Sequence, residues 1–184
     1  MCDARPRLRD ELVKLSGWHA VAAALAAAWA VWASGPSWLA PAYVLAAVAA
    51  VPLAAIDVAE RRLPDVLTIP LIPATAVLLL LPRDLDAWVG ALLGAAALGG
   101  AFLALHVAHP AGLGFGDVKL AVTLGLLAGW HGWPAVFATG AAPFACALPA
   151  SLALMVTKRA RHLALGPYLL GGAIIVLTAA RFLA

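Results

Sequence analysis

Turn signals and charged residues divide the chain into seven long apolar segments, and this division limits the possible folds more than any other feature. Only 11% of the 184 residues are charged and 65% are hydrophobic, whereas a soluble domain is nearer half apolar and a quarter charged. About 20 apolar residues cross a bilayer as a helix. The sequence therefore predicts an all-α fold, a polytopic membrane helix bundle of about seven transmembrane helices. The segments are approximately residues 17–34, 38–57, 66–82, 87–107, 117–130, 135–157 and 164–183.

The basic residues predict the orientation of this bundle, because cytoplasmic segments of membrane proteins carry an excess of Lys and Arg. We interpret residues 1–16 as a cytoplasmic N-terminal tail and residues 17–184 as a single transmembrane domain. In that orientation only Arg83 and Arg181 lie on the outer side. The sequence therefore predicts a multi-pass protein of the cytoplasmic (inner) membrane with its N-terminus inside. The ten basic residues on the inner side are Arg5, Arg7, Arg9, Lys14, Arg61, Arg62, Lys119, Lys158, Arg159 and Arg161.

Composition argues against several other classes of protein. The net charge of +3 is too small to indicate nucleic acid as a partner. Cys2 and Cys146 are the only cysteines, fewer than the four ligands of a structural zinc site. His106 and His109 are three residues apart but have no acid on the same face. We therefore expect no metal site and no cofactor, and a lipid bilayer as the environment.

Two acids, Asp57 and Asp117, are expected at the same face of the membrane. Asp57 lies where the second segment reaches the cytoplasmic side, and Asp117 lies where the fifth segment leaves it. Two segments intervene, so the chain has returned to the face from which it left. Acids within a membrane usually face the bundle interior and mark a functional site. The topology therefore predicts that these two side chains meet at a similar depth.

A pair of carboxyl groups in one site can hydrolyse a peptide bond. Two such groups cannot both ionise easily, so they hold a proton between them. One carboxylate then takes a proton from water, which attacks the scissile carbonyl, and the other acid protonates the carbonyl oxygen and later the leaving amine. The same residues also allow a simpler interpretation, in which Asp117 caps the fifth helix and Asp57 lies at the interface without contacting it.

Three glycines, Gly112, Gly114 and Gly116, precede Asp117. Glycine has no Cβ and allows another chain to come close. We therefore expect this stretch to let an extended substrate backbone approach the acid.

Further residues near the two acids are candidates for a supporting role. Lys119 follows Asp117 by two positions and either reaches a lipid phosphate or tunes the acid. Pro64 is expected to bend the entry to the third helix, and Asp65 to cap that helix. The run from Gly90 to Gly94 is either a small-residue packing face or a chance product of an Ala- and Gly-rich chain.

Several of these motifs resemble those of a known family. Gly114-Phe115-Gly116-Asp117 matches the GxGD motif of intramembrane aspartyl proteases, and the run from Gly112 to Leu120 resembles the prepilin peptidase branch (type IV prepilin and preflagellin peptidases). That family's other acid precedes an element similar to Leu63-Pro64-Asp65-Val66-Leu67, which places it at Asp57. Gly166-Pro167-Tyr168-Leu169 resembles a third family element. The resemblance covers about residues 45–175.

The resemblance implies a function. Members of the family are aspartic endopeptidases that act at the cytoplasmic face of the membrane. They cleave the basic leader peptide from type IV prepilin-like precursors, which are single-span proteins. The resemblance also implies Asp57 and Asp117 as the catalytic pair. Larger members also carry an N-terminal region with paired CxxC motifs, associated with N-methylation of the new terminus. Residues 1–16 contain no such motif, so we expect a short form without methyltransferase activity.

A small proton- or cation-coupled transporter is the alternative, because it can also use paired intramembrane acids. Transporters of that kind more often show inverted repeats and broken helices, and the sequence shows no internal repeat. A structural subunit of a membrane assembly would explain the hydropathy but neither the two acids nor the glycines.

Overall fold

The computed structural model describes residues 17–35, 37–60, 63–109, 113–156 and 166–183, with the side chains of 17, 150–156 and 183 excepted. Within these ranges the chain forms seven α-helices and no strand, which confirms the all-α prediction. Each helix coincides with one predicted apolar segment to within about four residues at either end. The helices are α1 (Gly17–Ser34), α2 (Ala40–Glu60), α3 (Asp65–Leu78), α4 (Leu85–Ala108), α5 (Phe115–Trp130), α6 (Trp133–Val156) and α7 (Gly166–Leu183).

Two of the described helices, α2 and α4, are long and apolar enough to cross a membrane. Three others, α1, α3 and α7, are apolar but shorter. The prediction that all seven helices cross the bilayer stays a prediction. The predicted N-terminal tail, 1–16, and the basic residues 158–162 lie outside the described residues.

Helix α5 lies at the centre of the bundle and is buried along most of its length. Its closest neighbour is α4, and the two helices meet at glycines on both sides. A Cβ on Gly94 of α4 would lie 2.5 Å from the carbonyl oxygen of Gly125 and 2.7 Å from the Cα of Gly129. The two backbones can approach this closely only because no side chain separates them. The Gly90–Gly94 run is therefore a packing face, and it fixes the position of the helix that carries Asp117.

Helices α2 and α5 run in opposite directions. At one end, the hydroxyl of Tyr43 near the start of α2 is hydrogen-bonded to Nε2 of His131, directly after α5. Asp57 lies 14 residues after Tyr43, and Asp117 lies 14 residues before His131. An α-helix rises 1.5 Å per residue, so both acids lie about 21 Å from this contact along their helices. The fold therefore places the two acids at the same end of the bundle and at a similar level.

The residues around that end belong to one hydrophobic cluster. Its buried members include Leu53 of α2, Leu63, Leu113, Val118 of α5 and Leu169 of α7. These residues come from four parts of the chain, namely α2, the segment before α3, the start of α5 and the start of α7. Burial of this cluster holds the ends of α2, α5 and α7 together.

Helix α1 packs against α2 and also contacts α7. The indole Nε1 of Trp29 donates a hydrogen bond to the hydroxyl of Thr178 at 3.1 Å. The first helix is therefore joined to the last one.

Candidate active site

Asp57 is buried in the last turn of α2, with 5% of its surface exposed. Its Oδ2 accepts a hydrogen bond from the backbone N–H of Gly166, the first residue of α7, at 3.0 Å. A carboxylate that accepts a backbone hydrogen bond in a buried site is held in one orientation. Asp57 is therefore fixed inside the bundle. This placement argues against the simpler interpretation, in which Asp57 lies at the membrane interface.

Asp117 is the third residue of α5 and has 7% of its surface exposed. Its Oδ2 accepts from the N–H of Gly114 at 3.2 Å, so the acid does cap the start of its own helix. The other oxygen, Oδ1, is also buried and has no hydrogen-bond partner among the described residues. A buried acceptor without a partner is unfavourable and rare. Capping therefore accounts for one oxygen of Asp117 and leaves the other available to a reacting group.

The two acids lie at the same end of α2 and α5, at a similar level, and these two helices contact each other. Both are buried, and in each of them a backbone N–H from a glycine holds one oxygen, Gly166 for Asp57 and Gly114 for Asp117. Two carboxylates that share a poorly solvated site repel each other, so ionisation of both at once is unfavourable. The arrangement can therefore hold one proton between two carboxyl groups, which is the state that general acid–base hydrolysis requires.

The glycines before Asp117 have different surroundings. Gly112 lies outside the described residues, and Gly114 is exposed at the start of α5. A Cβ on Gly116 would lie 2.6 Å from the Cβ of Leu63. We expected all three to leave room for a substrate backbone. At Gly116 the place of a side chain is filled by Leu63 of the same chain, so this glycine serves close packing, and the approach of a substrate backbone stays a prediction.

Asp65, the first residue of α3, has a different role from the one expected. Pro64, in an extended conformation, is the N-cap residue, and no side chain caps the helix. Asp65 is exposed, and its Oδ1 forms an ion pair with Nζ of Lys119 at 2.5 Å. The capping prediction is wrong because Pro64 occupies the N-cap position and Asp65 is the first residue within the helix. The ion pair instead joins the start of α3 to the first turns of α5.

Lys119 also lies over the ring of Phe115, 4.9 Å from its centroid. Neither role predicted for Lys119 included these partners. Together with the contact between Gly116 and Leu63, the ion pair attaches the Leu63–Asp65 segment to the helix that carries Asp117.

Sequence reasoning missed two contributors to this site. His106 was considered only as a metal ligand. Its Nδ1 donates a hydrogen bond to the carbonyl of Leu113 at 2.7 Å and so anchors the glycine stretch to α4. Gly166 was noted only as part of a family motif. Among the described residues no group of three His, Cys, Asp or Glu side chains is placed to hold a metal ion. Neither contribution has a local sequence signal. Gly166 acts on a residue 109 positions earlier in the chain, and the partner of His106 is a backbone carbonyl, which the residue types do not reveal.

The described part of the chain is thus an all-helical bundle with two membrane-length apolar helices and two buried carboxylates at one end. The model of the type IV leader peptidase family matches residues 44–179, and the chain belongs to that family. This confirms the family resemblance. The matched region includes Asp57, Asp117 and Gly166, and all of it lies after α1. No curated protein and no solved structure was found to match the chain.

Proposed function

We propose that this protein is a membrane aspartic endopeptidase that removes the basic leader peptide from type IV prepilin-like precursors. The observation that carries the proposal is the pair of buried carboxylates, Asp57 and Asp117, at one end of a bundle that belongs to the type IV leader peptidase family. The transporter alternative uses the same two acids but does not account for the family.

Catalysis in this proposal needs one carboxyl group ionised and the other protonated. The ionised group accepts a proton from water as the water oxygen bonds to the scissile carbonyl carbon. The protonated group donates to the carbonyl oxygen. When the tetrahedral intermediate collapses, the C–N bond breaks and the leaving amine takes a proton from the pair. Oδ1 of Asp117 is the acceptor that the fold leaves available for this exchange.

The fold supports this mechanism by restricting movement of the two carboxylates. Each acid is near the end of a helix, α2 or α5, and each has one oxygen held by a backbone N–H. Groups that are already positioned need little reorganisation when charge moves during the reaction. Burial also strengthens the electrostatic interactions within the site.

The substrates of the proposed peptidase are single-span proteins with a basic leader followed by an apolar stretch. Such a substrate lies in the bilayer beside the enzyme and presents its cleavage site near the membrane surface. The charge bias supports a cytoplasmic position of the acid pair, because ten of the twelve Lys and Arg residues fall on the same side in the predicted topology.

Incubation of the purified protein with a prepilin-like precursor in detergent tests the function directly. We expect one cut between leader and apolar stretch, with both products identified by mass spectrometry. A precursor whose leader lysines and arginines are replaced by glutamine is the matched control, and we expect it to be cut more slowly. Absence of cleavage, combined with proton or cation flux through vesicles that contain the protein, would support the transporter instead.

Labelling of single cysteines tests the topology. In a background without Cys2 and Cys146, cysteines at positions 60, 110 and 160 should react with a membrane-impermeant reagent only from the cytoplasmic side, and a cysteine at position 84 only from the outer side. The expectation follows from seven crossings with the N-terminus inside. Labelling of position 84 from the cytoplasm, or of position 110 from outside, would contradict it.

A further inference from the structure

We propose that Gly166 is a positioning residue for Asp57, and that it must be glycine because the carboxylate of Asp57 occupies the place of a side chain. The inference rests on the proposed function, since it assigns a role to a residue beside one of the two proposed catalytic acids. It concerns a contact between α2 and α7, the second and the last of the described helices.

The hydrogen bond from Gly166 is available because of its place in the helix. The first N–H groups of an α-helix have no carbonyl partner within that helix. Gly166 is the first residue of α7, and its N–H donates to Oδ2 of Asp57 in a buried bond. Pro167 follows, and its fixed φ suits the first turn of a helix. The start of α7 therefore provides a donor aimed at the acid.

The space beside Gly166 is filled by the whole carboxyl group of Asp57. A Cβ built on Gly166 would lie 2.5 Å from Oδ2, 3.0 Å from Cγ and 3.4 Å from Cβ of Asp57. Real Cβ atoms do not approach other atoms as closely as the first of these distances. Even alanine at this position would have to displace the carboxylate or separate α7 from α2. Displacement of a reacting group by about 1 Å can reduce a rate by about 10²-fold.

Two other glycines in α7 provide matched controls. A Cβ on Gly171 would meet no atom within 4 Å. A Cβ on Gly172 would lie 2.8 Å from the Cβ of Ala142 in α6, and neither acid is among the atoms nearest to it. The same substitution can therefore be placed against the acid, in open space, and against another helix.

Steady-state cleavage of a prepilin-like precursor by Gly166→Ala, Gly171→Ala and Gly172→Ala tests the proposal. For Gly166→Ala we expect kcat to fall about 10²-fold, with KM close to that of the wild type, because the acid is displaced while the substrate still binds. Gly171→Ala should match the wild type in both constants. Gly172→Ala should lower the Tm while the folded protein keeps its kcat. If Gly166→Ala has the same kcat as Gly171→Ala, or loses activity only through a raised KM, the proposal is wrong.

A thermal-unfolding cycle tests the same contact without any substrate. Gly166→Ala should lower the Tm of the otherwise wild-type protein. It should have little effect in the Asp57→Ala background, because Oδ2 and Cγ are then absent and only the Cβ at 3.4 Å remains. Equal shifts in both backgrounds would show that Gly166 does not hold Asp57. If the wild type cleaves no precursor, the proposed function fails while this cycle still decides the contact.

Discussion

Asp57→Asn and Asp117→Asn should each abolish cleavage while the protein remains folded. Asparagine keeps the size and polarity of aspartate but can neither accept the proton of water as a carboxylate does nor release one. General acid–base catalysis contributes about 10²–10⁴-fold to a rate. Because the two acids act as a unit, the double variant should be little worse than either single variant.

The measurement is conversion of a prepilin-like precursor, with chromatographic homogeneity in detergent as the test of folding. Asp86→Asn is a matched control, because Asp86 is exposed in the first turn of α4 and far from both acids in sequence. It should leave cleavage unchanged. A bell-shaped dependence of kcat/KM on pH is also expected, since one acid must be ionised and the other protonated.

Asp65 distinguishes between two versions of the acid pair. Its partner is Lys119, and exposed ion pairs contribute only about 0–1 kcal/mol to stability. Asp65→Asn should therefore keep substantial activity. If Asp57→Asn stayed active while Asp117→Asn was inactive, the assignment of the pair would be wrong, and Asp65 would become the candidate partner of Asp117.

The positions of the helices could be predicted from the sequence because they depend on local composition. Each apolar run ends at a turn residue or a charge, and hydropathy alone is enough to recognise it. The common level of Asp57 and Asp117 could also be predicted, because it follows from counting crossings between them. The structure reaches the same result from a different feature, the contact between Tyr43 and His131 at the other end of both helices.

The contacts that position the two acids could not be predicted in this way. Gly166 and Asp57 are 109 residues apart, and Lys119 and Asp65 are 54 residues apart. No local pattern relates such residues, because which helices become neighbours is decided by packing of the whole bundle. The expectation for Asp65 failed for this reason. Its position at the start of α3 indicated a cap, while its actual partner comes from α5.

Gly94→Leu should prevent normal packing of α4 against α5 and so strongly reduce the stability of the protein. The atoms that a Cβ at Gly94 would meet, the carbonyl oxygen of Gly125 and the Cα of Gly129, belong to the backbone of α5. A change of side-chain rotamer cannot relieve this contact, so the helices must separate. Overpacking costs about 1–3 kcal/mol and occasionally more, and a leucine between two backbones belongs at the upper end of that range.

Gly100→Leu is the matched control for Gly94→Leu, because a Cβ on Gly100, in the same helix, would meet no atom within 4 Å. The two variants add the same apolar side chain to α4, so any difference in membrane insertion is small. Thermal unfolding in detergent should show a much lower Tm for Gly94→Leu and a nearly unchanged one for Gly100→Leu. Equal Tm values would mean that α4 and α5 do not pack through these glycines. Since α5 carries Asp117 in its first turn, separation of the two helices should also reduce cleavage by whatever Gly94→Leu protein remains folded.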